Sequence, residues 1–98
     1  VSAMKVEELL SLVEETIGEL KIALMANQQR AFETPYTSFE FIQRASELDE
    51  ELRDLEKLRD YLASLDPGEE AEKYFTGEEL EELLRLLELL RKSRPHEY

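Results

Sequence analysis

VEELLSLVEETIGELKIAL, residues 6–24, sets apolar side chains at Val6, Leu10, Val13, Ile17, Leu20 and Leu24, at intervals of 4, 3, 4, 3 and 4. That period of 3.5 is the seam of a helix seated against other helices, and it excludes the strict alternation of a strand. Leu9 widens the stripe, Ala31 continues it, and Asn27 is its one polar break, while Glu7, Glu8, Glu14, Glu15 and Glu19 fall outside it. Gly18 costs about 1 kcal/mol against alanine in a helix interior, so it is expected to serve close approach of a neighbouring helix. A helix over residues 3–31 would be ~42 Å long.

Downstream, Phe32-Glu33-Thr34-Pro35-Tyr36-Thr37 interrupts the pattern, because Pro35 disfavours helical geometry at Thr34. Thr37-Ser38-Phe39-Glu40 then has the form of a capping box, in which hydroxyl and carboxylate satisfy orphan backbone donors. Phe41, Leu48, Leu55 and Leu62 recur at intervals of seven, with Ala45 and Leu52 between them and Leu58 and Leu65 drifting off the stripe. A second helix to about residue 65 follows, matched in length to the first, and the short connection predicts an antiparallel hairpin. Asp66-Pro67-Gly68-Glu69 reads as another helix start, with aspartate at the cap and proline at the first helical position. Thr76-Gly77-Glu78-Glu79 is a third start, opening a helix to about residue 93. The last element is therefore expected in two pieces, together as long as each of the others. The fold class is all-α: an antiparallel helical hairpin plus a broken third helix, a three- to four-helix bundle completed by dimerisation, as a single domain over residues 1–98.

Dimerisation is expected from the last helix. Leu80, Leu83, Leu84, Leu86, Leu87, Leu89 and Leu90 place seven leucines in eleven residues. At 100° per residue they cover an arc of about 220°, against a stripe of about 100° on an ordinary surface helix. A three-helix monomer has no central position to bury such an arc. Leu80, Leu83, Leu86, Leu87, Leu89 and Leu90 are accordingly the candidate interface, in a homodimer or against another protein. A chain of 98 residues without cysteine has no disulfide to supplement its small core, which also favours self-association.

Composition narrows the function. Twelve Lys and Arg against twenty-four Asp and Glu leave a net charge of −12, which argues against direct nucleic-acid binding. Twenty of the acids are Glu, beside a single Asn and three Gln, a skew shared by thermophile proteins and by any sequence rich in helix formers. No apolar run approaches the ~20 residues of a membrane span, and residues 1–15 hold no apolar leader core, so a soluble, cytoplasmic chain is expected. Residues 66–82 carry eight acids and one base, followed by Arg85, Arg91, Lys92 and Arg94, an order that complements the helix dipole.

Catalytic constellations are wanting. The only histidine is His96, so the Glu-x-x-His pairs of a di-iron bundle cannot form, and pairs such as Glu47 and Glu51 recur by chance among twenty glutamates. No glycine-rich phosphate loop exists, and no cofactor, metal or catalytic set is expected. Phe32, Tyr36, Phe39 and Phe41 cluster within ten residues without accompanying bases, and are expected to plug the end of the hairpin.

Arg91, His96 and Tyr98 stand in Arg-x4-His-x-Tyr spacing within the last eight residues. This resembles the motif of HEPN-type all-helical ribonucleases, and the resemblance implies Arg91 and His96 acting on an RNA phosphodiester with Tyr98 in support. Pro95, directly before the histidine, departs from that family, which continues there toward a helix. The acidic surface also repels RNA. The leading expectation is a non-enzymatic interaction or assembly module acting as an oligomer. Alternatives are an acidic, antitoxin-like inhibitor of a basic nucleic-acid-binding protein and, more remotely, a HEPN-like ribonuclease or a degenerate relative.

Overall fold

A computed structural model of the chain describes residues 3–33 and 38–92. Among these residues the protein is all-α: α1 spans Val6–Glu33, α2 Ser38–Ala63 and α3 Gly77–Lys92, with a 3-10 turn at Ala71–Lys73 and no strand. Thr37, the expected cap of α2, lies outside the described residues. The molecule measures 50 × 24 × 17 Å, so it is drawn out along the two long helices.

The buried face of α1 comprises Val6, Leu9, Val13, Thr16, Ile17, Leu20, Ala23 and Asn27. This seam is rotated from the one the apolar spacing predicts, for Leu10 and Leu24 are only half-buried. Two polar side chains enter it because each is satisfied by its own helix. The Thr16 hydroxyl donates to the Leu12 carbonyl at 2.8 Å, and Asn27 Nδ2 donates to the Ala23 carbonyl at 2.8 Å. A buried hydroxyl or amide without such a partner would cost about 1–3 kcal/mol. Opposite, α2 buries Ala45, Leu48, Leu52, Leu55 and Leu62, the expected stripe, and half-buries Phe41 and Leu58, with Leu65 half-buried just past its end. Lys21 Nζ lies 3.9 Å from Glu56 Oε2, while residues 24–32 of α1 stand across from residues 42–49 of α2, so the two helices run in opposite directions.

Asp66-Pro67-Gly68-Glu69 does not start a helix. The Asp66 carboxylate takes the Gly68 N–H at 3.0 Å, and the Asp66 carbonyl takes the Glu69 N–H at 3.2 Å, forming a tight turn. The turn spends its own carbonyls on α1: Glu69 O accepts from Val6 N–H at 2.8 Å and Pro67 O from Glu7 N–H at 3.1 Å. Ala71 N–H returns a bond to the Met4 carbonyl at 2.7 Å. The opening N–H groups of a helix have no partner within it, so a distant loop supplies what a side-chain cap otherwise would. Lys5 N–H, just outside, donates to Glu8 Oε1 at 3.0 Å. An edge-to-face contact between Tyr61 and Phe75, with centroids 6.2 Å apart, holds the same loop against the end of α2.

The third start signal is realised in both halves. Thr76 Oγ1 accepts from Glu79 N–H at 3.1 Å, and Glu79 Oε1 accepts from Thr76 N–H at 2.8 Å. At 16 residues, α3 extends ~24 Å against ~42 Å for α1 and covers the expected span from the Thr76 start to about residue 93, while the short piece expected before it is reduced to the 3-10 turn at Ala71–Lys73.

Candidate interaction surface

The leucine belt of α3 divides in two. Leu80, Leu87 and Leu90 are buried within the chain, and Leu83 and Leu84 lie half-buried against the same core. Leu86 and Leu89 turn outward, 48% and 57% exposed. Of the candidate interface residues, then, only this pair offers about half of its surface to another molecule. Beside it a recess of about 260 Å³ opens between α2 and α3, bordered by Glu51, Asp54, Leu55, Leu86 and Leu90. Glu51 Oε2 is enclosed there without a hydrogen bond, while its Oε1 stands 3.8 Å from Arg44 Nη1. On the outer face Lys92 Nζ meets Glu88 Oε1 at 2.7 Å, and this bond holds the Glu88 carboxyl below its usual range.

At the other end of the molecule the aromatic residues do not form the expected plug. Phe32 is 91% exposed and Phe39 76% exposed; Phe41 is half-buried, and Tyr36 falls outside the described residues. Between α1 and α2 the Phe32 ring borders an open groove of about 700 Å³, walled also by Leu24, Ala31, Ile42 and Ala45, with Gln28, Ser46 and Asp49 as its polar members. Ile22, Met25 and Ile42 add further exposed apolar surface nearby. Sequence reasoning missed this region, although a signal was present: Ile22 and Met25 lie off the apolar stripe of α1, on a side no predicted helix covers.

Charge is distributed unevenly between the two ends. Residues 20–49 hold Lys21, Arg30 and Arg44 against Glu33, Glu40, Glu47 and Asp49, a net of −1, which leaves −11 of the −12 on the rest. The acidic stretch around the 3-10 turn is partly tied up internally. Lys73 pairs with Glu69, and the Tyr74 hydroxyl donates to Glu69 Oε1 at 3.1 Å. The hydrogen bond it donates to Glu69 raises the Lys73 ammonium, whereas partial burial, and then the same carboxylate, raise the Tyr74 phenol.

No catalytic arrangement is brought together among the described residues. Arg91 is half-buried in the last turn of α3, and His96 and Tyr98 lie outside the described residues. No group of three or more His, Asp or Glu among the described residues is placed to hold a metal ion, and no described helix is long and apolar enough to cross a membrane. The chain matches no family model, and no curated protein or solved structure shows significant similarity to it.

Proposed function

We propose that the protein is a non-enzymatic helical interaction module that acts as an oligomer, its helices completed into a bundle by those of a partner, in the first instance a second copy. The observation that carries this reading is the outward pair Leu86 and Leu89, a one-turn apolar step beside the recess at Leu55 and Leu90. Because each is already about half covered, burying both leucines against a partner helix is favourable by about 1–1.5 kcal/mol each, before the costs of association. Sedimentation of the full chain tests the proposal. A mass fixed at 11.5 kDa at every concentration overturns it, and the Leu86→Glu/Leu89→Glu variant reports whether the α3 flank takes part.

A second reading rests on a different observation, the local charge of −7 over residues 66–82. Such a surface suits a basic protein whose nucleic-acid site it would occupy, through salt-sensitive binding. Reversing those charges without changing the proteins captured would remove this reading.

A further inference from the structure

The groove at the mouth of the hairpin, where α1 ends and α2 begins, is a site that nothing within the described residues fills. We infer that it is a second self-contact, in which two copies meet about a two-fold axis and each sets its Phe32 ring into the groove of the other. This rests on the oligomeric reading above and goes beyond it by assigning a separate face.

Knob and hole lie side by side on one surface. Phe32 borders the groove yet is almost wholly exposed, and Ile42 stands on the opposite wall, 58% exposed. A patch that holds both the projection and its receptacle suits an isologous contact, in which the same surface is used twice. Helix α3 does not compete for it. At 100° per residue, Ile42, Ala45, Ser46 and Asp49 occupy one flank of α2, while Glu51, Asp54 and Leu55, which border α3, occupy the flank about 180° away.

Charge selects the occupant. Two copies of a chain at −12 repel over most of their surfaces, but residues 20–49 carry only −1, and the run from Leu20 to Phe32 contains no acid. A second copy can therefore approach mouth to mouth. A basic partner is drawn instead to the stretch around the 3-10 turn, where residues 66–82 carry −7. Meeting in this way, two hairpins place four helices together around the rings.

The full chain is examined by sedimentation as wild type, Phe32→Glu/Ile42→Glu, Leu86→Glu/Leu89→Glu and the fourfold variant, with circular dichroism to verify folding; all four side chains are exposed. With both contacts the wild-type mass exceeds two chains. Phe32→Glu/Ile42→Glu weakens self-association by roughly tenfold or more and leaves a dimer joined through α3. Because the chain has no cysteine, Gln28→Cys at the groove should be joined between copies by a short bis-maleimide, whereas Glu72→Cys at the far end should not. A Phe32→Glu/Ile42→Glu variant as large as wild type, or a Gln28→Cys that fails to join, overturns the mouth contact. If Leu86→Glu/Leu89→Glu is monomeric, the mouth contact falls while the proposed function stands; a monomeric wild type removes both.

Discussion

The Val6 amide donates to the Glu69 carbonyl at 2.8 Å, so the first residue of α1 is capped by a turn that follows α2. With Glu7 N–H on the Pro67 carbonyl and Ala71 N–H on the Met4 carbonyl, the start of α1 and the 66–71 turn form one hydrogen-bonded unit at the base of the molecule.

Ala71→Pro tests that unit. Glu70 is already extended, at φ −76° and ψ 137°, the geometry that a following proline requires. The bond to Met4 is lost, and because Ala71 is fully buried the ring must also be taken up by the core, so the variant should be less stable by about 2 kcal/mol or more. Urea denaturation measures this; an unchanged midpoint would show that the cap contributes nothing.

Thr76→Ala removes the hydroxyl that receives Glu79 N–H and should cost about 1 kcal/mol. Thr76→Ser keeps the acceptor and should lose much less. Equal losses in the two variants would trace the effect to the missing methyl group instead.

Gly18 has no neighbour within 4 Å of where a Cβ would stand, so it does not serve the close helix contact expected of it within this chain. Gly18→Ala should therefore raise stability by about 0.5–1 kcal/mol, as at any open helical position. A fall in the thermal midpoint would contradict the open space around it.

Alkaline titration bears on Glu69, Lys73 and Tyr74. Both Lys73 and Tyr74 are raised in the folded protein, above 10.5 and 10.0 respectively. Their contribution to stability is therefore complete below those values and is lost as pH climbs through the folded ones. The difference in phenolate absorbance between wild type and Tyr74→Phe should have its midpoint above 10.0, and Glu69→Gln should bring it down part of the way. A midpoint at or below 10.0 would refute the pairing with Glu69.

Helix positions were legible because apolar spacing and caps are local signals. The stripe from Ala45 to Leu62 and the Thr76–Glu79 box appear in the structure as the residues imply. The seam of α1 was legible only roughly, since hydrophobicity ranks Leu10 above Thr16 and does not register that a threonine can return its hydroxyl to the preceding turn. Asp66 to Glu69 carry the same residue types whether they open a helix or close a turn. The deciding partners, Val6 and Glu7, lie far away in sequence. On α3 the surplus of leucine was visible, but its division between inward Leu87 and outward Leu89 depends on which flank meets the long helices. Counting apolar residues likewise could not reveal that Phe32 points outward.

The carbonyls lent to α1 by the 66–71 turn also bear on the order in which the molecule can assemble. During synthesis α1 leaves the ribosome first and can find α2 as soon as that helix follows. Its opening turn stays frayed until Pro67, Glu69 and Ala71 have emerged. A nascent chain halted just after α2 would hold two paired rods with a loose beginning, and closure of the base would be a late event in folding.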